Sequence, residues 1–297
     1  MKTLLVLTDF SAASDRALAQ AERLARSSGA EVHLFHKVIY PPPHPNDLDR
    51  LDDAAKLDYV LKEVLERPER EAREALEERV SRLRDRGLAV RTHLERSGDV
   101  YERAEAAIDS VKPDLVVMGT HGRSGVRKWL MGSVAEKVLR HCGVDVLTLH
   151  EDSPVAAADD GLGEVIVATD FSECSRRALE AACRLTSSIG GSLALLHVLE
   201  RRFFPRVGEG TPARVEIGDD VRRESEKALQ NELAGREGSI VLAEGHVAEE
   251  IDRTARERGA SMVVLGTHGA SGIRHALIGS VAEKVTRFCR LPVLTVR

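Results

Sequence analysis

Gly119-Thr120-His121-Gly122-Arg123-Ser124-Gly125-Val126-Arg127-Lys128-Trp129-Leu130-Met131-Gly132-Ser133-Val134-Ala135-Glu136-Lys137-Val138-Leu139-Arg140-His141-Cys142 is the stretch from which the rest of the chain can be read. It returns as Gly266 to Cys289, at an offset of 147 and with 17 identities in 24 positions. Thr8-Asp9-Phe10-Ser11 returns as Thr169-Asp170-Phe171-Ser172, at an offset of 161. The chain is therefore a duplication, and a period near 150 is too long for a solenoid repeat. The offsets of 161 and 147 differ by 14, so the first half carries about fourteen extra residues in its middle. They fall in Pro41-Pro42-Pro43-His44-Pro45 and the charged stretch after it. The pattern divides the 297 residues into domains at 1–150 and 164–297. Residues 151–163 are read as the linker, since Asp152-Ser153-Pro154, an alanine run and Asp159-Asp160-Gly161 interrupt the repeat.

Composition narrows the function classes. A hydrophobic fraction of 42% is enough to bury two cores and too high for a disordered chain. No apolar run reaches the ~18 residues that a membrane-spanning helix needs, and Met1-Lys2-Thr3-Leu4 leads straight into an apparent strand, so neither a span nor a secretory leader is expected. Four cysteines, none in a C-x-x-C pair, fit a reducing compartment, and a cytoplasmic location is expected. A net charge of −5 with only 3% aromatics argues against nucleic acid as the main partner.

Apolar runs such as Leu4-Leu5-Val6-Leu7, Leu115-Val116-Val117-Met118 and Met262-Val263-Val264-Leu265 lack polar alternation, so both faces of these strands are expected to be covered. Helical patterns lie between them. Ala72, Leu76, Val80 and Leu83 form one apolar stripe, and the thirteen acids and ten bases of Asp47 to Arg86 read most simply as a solvated helix surface. Five strands alternating with helices in each half predict an α/β fold, two doubly wound parallel sheets. Ligands in such sheets sit beyond the carboxyl ends of the strands, where the winding reverses.

The quoted stretch begins at such an end. Gly119 and Gly122, with Gly266 and Gly269 in the second copy, allow backbone to approach a ligand with no Cβ in the way. Gly132-Ser133 and Gly279-Ser280 then open a helix whose free N–H groups and dipole suit an anion such as a phosphate. Ser133 and Ser280 also fit S-x-x-E, a capping box that satisfies those N–H groups without any ligand. Asp9 and Asp170, at the end of the first strand of each half, either accept hydrogen bonds from a sugar or base or cap the next helix with Ser11 and Ser172.

Gly-x2-Gly-x9-Gly-Ser after the fourth strand, together with Thr-Asp-Phe-Ser after the first, resembles the universal stress protein family, in its ATP-binding branch and as a tandem of two domains. The resemblance covers nearly the whole chain and breaks mainly at the linker and at the 41–70 insertion. It implies a Rossmann-like domain of the adenine nucleotide alpha hydrolase type, with a five-stranded parallel sheet of order 3-2-1-4-5 and a nucleotide cleft at the strand ends. ATP, with Mg²⁺, is the implied ligand. In the first half, adenosine would touch the Thr8-Asp9 turn and Lys37, and Met118 and Gly119 would line the ribose. Gly122, Gly132, Ser133 and the Val134 amide would hold the phosphates, with Arg123 in the loop beside them. The matching positions are Thr169, Asp170, Val198, Leu265, Gly266, Gly269, Gly279, Ser280 and Val281. Lys37 departs from the pattern, since valine is usual there and Val198 keeps it. Family members pair through their last strand, so Val144–Leu149 and Pro292–Val296 are expected to pair within the chain as a pseudo-dimer, able to associate again as a homodimer. The function implied is a nucleotide-dependent stress-response regulator acting on an unidentified protein partner. A slow ATP hydrolase and a nucleotide-free scaffold are the alternatives.

Motifs of fast catalysis are missing. No G-x4-G-K-[ST] segment, no G-x-G-x-x-G after a strand and no G-x-S-x-G elbow is present. His121 and His268 are the acid–base suspects, but no partner that would activate them can be assigned from sequence. His36 and His197 read as structural, and Cys142 and Cys289 as buried core thiols. Arg123, Arg127 and Lys128 in one glycine loop, against Arg274 and His275 in the other, suggest a first site that holds phosphates more firmly and a second that holds adenine better.

Overall fold

In the computed structural model, the structure describes residues 1–43, 52–121, 131–155, 161–200, 203–204, 213–214, 218–268 and 278–297. The first half runs β1 (Thr3–Leu7), α1 (Ala12–Ser28), β2 (Glu31–Lys37), α2 (Asp53–Tyr59), a π-helical stretch Val60–Glu66, α3 (Arg67–Asp85), β3 (Val90–Glu95), α4 (Val100–Val111), β4 (Leu115–Gly119), α5 (Ser133–His141) and β5 (Val146–Leu149). The second half runs β6 (Glu164–Ala168), α6 (Glu173–Ile189), β7 (Ser192–Glu200), the short strands β8 (Phe203–Phe204) and β9 (Ala213–Arg214), α7 (Asp219–Leu233), β10 (Ser239–Gly245), α8 (Val247–Glu257), β11 (Met262–Gly266), α9 (Ser280–Phe288) and β12 (Val293–Val296).

The main strands form one ten-stranded sheet of order β10-β7-β6-β11-β12-β5-β4-β1-β2-β3. Each half is thus a parallel sheet, as the alternation of elements predicts, with the order 3-2-1-4-5 that the family resemblance implies. β5 and β12 join the halves by antiparallel pairing, with Leu294 opposite Leu147, Val293 opposite Thr148 and Thr295 opposite Val146. Leu147 and Leu294 are themselves repeat equivalents at the 147 offset, so the pseudo-twofold passes between them. Two hydroxyls repeat the symmetry: Thr148 Oγ1 donates to Val293 O at 3.3 Å, and Thr295 Oγ1 donates to Val146 O at 3.1 Å.

The apolar runs explain the layering. Successive residues of a strand point to opposite faces, so Leu4 and Val6 join one cluster and Leu5 and Leu7 the other. α1, α3, α6 and α7 cover the first face, and α4, α5, α8 and α9 the second. Both clusters draw on residues from each half, which makes the two cores continuous across β5 and β12. α3 buries the expected stripe of Ala72, Leu76, Val80 and Leu83. Pro68 stands in its first turn, where it has no N–H to give and its ring crowds the carbonyl four residues back. The wider π turn just before it accommodates that loss.

Candidate functional site

The turn after β1 is built by its own side chains. Thr8 Oγ1 accepts from Phe10 N at 3.1 Å, and Asp9 Oδ1 accepts from Ser11 N at 3.1 Å and from Ser11 Oγ at 2.5 Å. Ser11 in turn caps α1, accepting from Ser14 N at 3.3 Å. Phe10 is held at φ 64° and Phe171 at φ 64°, a left-handed conformation that costs a side chain about 1–2 kcal/mol. Ring packing offsets that strain: Phe10 stacks on His36 with centroids 4.1 Å apart, and the Arg79 guanidinium carbon lies 4.8 Å from the Phe10 ring centroid. His36 Nδ1 donates to Thr8 O at 2.8 Å, and His197 Nδ1 donates to Thr169 O at 2.8 Å, the structural role expected of both. Ser11 and Ser172 are the caps, and Asp9 and Asp170 hold them in place, since Asp170 Oδ1 likewise accepts from Ser172 N at 3.1 Å.

Gly119 works differently from the sequence argument. A Cβ added there would lie 2.9 Å from the Ala13 carbonyl carbon and 2.9 Å from Ala13 Cβ, inside the first turn of α1. At Gly266 it would lie 2.8 Å from the same atoms of Cys174. These glycines let a helix rest on the end of a strand. Their absent side chain is already replaced by protein, whatever ligand lies beyond.

The serines also depart from the capping-box reading. Gly132 and Gly279 occupy the N-cap positions, and neither helix has a side-chain cap bond. Ser133 and Ser280 are the first helical residues and are exposed. Gly132 N donates to Thr120 O at 2.8 Å and Gly279 N donates to Thr267 O at 2.7 Å, which ties each helix start to the residue after its strand. An N-terminus without a side-chain cap leaves N–H groups and positive dipole for an anion.

Thr8, Asp9, Lys37, Met118, Gly119, Gly132, Ser133 and Val134 all line one cavity of about 840 Å³ at the carboxyl ends of β1 and β4. Gly122 and Arg123 lie outside the described residues, as do Arg127 and Lys128. In the second half, Asp170 follows β6, Val198 is buried in β7, Leu265 and Gly266 end β11, and Gly279, Ser280 and Val281 start α9. Gly269, Arg274 and His275 lie outside the described residues.

The charged insertion is largely exposed, as expected, and one face of it also forms the far wall of the cavity. Tyr59, Glu63, Arg67 and Glu71, each four residues apart, share a face of the helical segment and line the cavity, with Val64, Pro68 and Ala72 beside them. Arg67 bonds Glu71 at 2.8 Å and Glu63 at 3.1 Å. Tyr40 Oη donates to Glu69 at 2.9 Å, and Arg79 holds Asp15 through two bonds of 2.8 and 3.0 Å, so part of the charge fixes the segment to the body. Sequence offered only a weak signal for this: the extra fourteen residues themselves.

His121 lines the same cavity. Its Nδ1 lies 2.9 Å from Thr120 Oγ1, which lies 3.0 Å from His150 Nδ1, and His150 Nε2 lies 3.2 Å from Thr286 O. Burial holds both imidazoles below their ordinary pKa. His150 was not singled out in the sequence. The repeat offset was the available signal, because it sets Arg297 opposite His150. Arg297 Nη2 bonds Leu139 O at 2.6 Å, the carbonyl equivalent to that of Thr286, so each half reaches across to the last turn of the other's glycine-serine helix. Cys142 and Cys289 are buried, as expected, and burial pushes the Cys289 thiol up to about 12. Among the described residues, no group of three or more His, Cys, Asp or Glu side chains is arranged to hold a metal ion, and no helix is long and apolar enough to cross a membrane.

The sequence model of the universal stress protein family matches residues 1–150 and again 162–297. A universal stress protein of Mycolicibacterium smegmatis is 29% identical over 311 residues, spanning 99% of this chain and 96% of its own. One from Bacillus subtilis is 34% identical over 145 residues, covering 45% of this chain and 98% of its own length. The crystal structure of a universal stress protein from Archaeoglobus fulgidus superposes with a TM-score of 0.68 at 23% identity, covering 99% of this chain and 98% of that one.

Proposed function

The chain belongs to the universal stress protein family, in tandem form, and on that premise we propose that it binds ATP in its first cleft, and in the equivalent place of its second half, as a nucleotide-dependent regulator. One observation carries the reading. The start of α5, whose N-cap Gly132 offers no side chain to its N–H groups, opens into the same cavity as Asp9, Lys37 and Met118. A cavity of about 840 Å³ is of the size that encloses a small organic ligand. Phosphates fit the N-terminus of α5 at Gly132, Ser133 and Val134, with Gly122 and Arg123 in the adjoining loop. Adenosine fits the strand ends at Thr8, Asp9, Lys37, Met118 and Gly119. In the second half the corresponding assignment is Thr169, Asp170, Val198, Leu265, Gly266, Gly269, Gly279, Ser280 and Val281. Mg²⁺ would arrive on the phosphates.

The regulatory part follows from how the cleft is walled. The 59–72 segment and the start of α5 both line the cavity, so a nucleotide that favours one arrangement of them shifts its population by its differential affinity. A protein partner or a second copy of the chain, in the cytoplasm, would read that shift. The test is direct. Purified protein is denatured, and the released small molecules are chromatographed and quantified against chain concentration. An adenine nucleotide approaching two per chain is the expected result. No released nucleotide, together with no ATP binding on equilibrium dialysis, would overturn the proposal.

A further inference from the structure

The segment that walls the cleft has a second face. α2 buries none of its residues, and the π-helical stretch after it buries only Val64. Leu57, Leu61 and Leu65 stand four residues apart along it and are 62%, 44% and 41% exposed. None of the three lines the cavity, which takes Tyr59, Glu63, Val64 and Arg67 from the same turns. Residues four apart on a helix are neighbours, so the leucines form one continuous ridge. A single exposed leucine is ordinary on a protein surface; three in one ridge mark a contact.

The charges beside the ridge decide what covers it. Lys62 Nζ lies 2.9 Å from Asp58 on one flank, and both side chains are more than half exposed. A twofold axis through Leu61 would set Leu61 on Leu61 and Leu57 on Leu65 of a second copy. Along the shared flank the order then becomes Asp58, Lys62 of the second copy, Lys62, Asp58 of the second copy. Each carboxylate thus gains an ammonium from the other chain. Moving the axis by about half a turn spoils the match: at Tyr59, Leu65 would face Asp53, and at Glu63, Leu57 would face Glu69. Ridges of this four-residue spacing interdigitate with their like at about −50°. The β5 and β12 edges are already spent on each other within the chain. The ridge belongs to the insertion and occurs once in the sequence, so a twofold contact closes at two copies.

We propose that two copies of the chain dimerise by crossing their 57–65 segments, Leu61 on Leu61, with Asp58 and Lys62 setting the register. The contact is independent of what the cleft holds, since a ligand lining residues Tyr59 and Arg67 would meet the segment from its other side. A single helix crossing is smaller than the roughly 1,200 Å² at which standard interfaces begin, so the dimer is weak and forms reversibly with concentration.

Sedimentation equilibrium of the full, nucleotide-free chain from the micromolar to the millimolar range tests this. Wild-type protein should show a reversible monomer–dimer equilibrium. Leu61→Glu sets two carboxylates against each other on the axis and should raise the dissociation constant about 10²-fold. Val221→Glu, at an apolar residue of the second half that is 48% exposed, should leave it unchanged. Asp58→Lys and Lys62→Asp each make the shared flank a row of like charges, so each variant alone should be monomeric. Mixed in equal amounts they should associate, because the row then alternates in sign. Recovery on mixing requires both variants to be folded, so it separates loss of the contact from loss of structure. Wild-type protein that stays monomeric throughout, a dimer indifferent to Leu61→Glu, or charge variants that fail to associate on mixing would each overturn the proposal.

Discussion

Replacing Gly119 by alanine separates two explanations of the same glycine. If its missing side chain serves a ligand, the variant should fold normally and bind poorly. The contacts say otherwise: the new methyl carbon would stand 2.9 Å from the Ala13 carbonyl carbon and 3.0 Å from Ser14 N, where ordinary contact begins at 3.4 Å. α1 must therefore yield by about half an ångström, from the gap between 2.9 and 3.4 Å. It cannot do so freely, because Ala13, Ser14, Ala17 and Leu18 are 3%, 2%, 0% and 0% exposed. Overpacking of this kind costs about 1–3 kcal/mol, and for a chain of this size that lowers Tm by roughly 2–12 °C. Urea and thermal unfolding of nucleotide-free protein measure it, with Gly266→Ala as the matched case, since the Cys174 carbonyl carbon lies 2.8 Å from its new methyl carbon. Unchanged stability, within about 0.5 kcal/mol, in a variant that has lost nucleotide affinity would refute the packing argument.

Two further outcomes follow from the junction of the halves. Leu294→Ala, at a position 3% exposed in the core that both halves share, should cost about 2–5 kcal/mol; amide exchange should then quicken in β1 and β6 together, and quickening confined to the second half would contradict a shared core. Stability should also fall with acid. Burial depresses the folded-state pKa of His150, so its contribution is whole above the unfolded value of about 6.5 and is lost as pH falls from there toward the folded value. His150→Asn should flatten the pH dependence of the urea midpoint without abolishing it, because His121 and His93 are shifted the same way; an unaltered profile would show that burial of His150 does not shift its titration.

The architecture was legible in the sequence because its signals are local and doubled. Leu4-Leu5-Val6-Leu7 announces a strand covered on both faces, and the repeat of Gly119 to Cys142 announces a second domain. The pairing of β5 with β12 was expected from the family resemblance. What the sequence hid is of another kind. Gly119 looks the same whether a ligand or Ala13 fills the space beside it, since the neighbour is about a hundred residues away. Ser133 matches a capping box, yet Gly132 takes the cap position, because capping depends on where the helix begins. The Glu63 and Arg67 pair reads as surface and is exposed, but nothing local tells that the same face lines a cavity at the strand ends. His150 carries no motif and acquires meaning only from Thr120 on one side and Thr286, from the opposite half, on the other.

The register at the centre of the sheet has a consequence for how such a chain can diverge. Leu147 faces its own repeat equivalent, Leu294, so a single half could pair with a copy of itself through the same contacts. Two separate copies would be bound to carry identical residues on both sides of the axis. Joining them in one chain raises the effective concentration of the partner strand, so pairing no longer depends on dilution. It also releases the two sides from identity. His150 and Arg297, one able to accept a proton and the other not, are what that freedom permits: a symmetric scaffold whose two halves no longer have to do the same work.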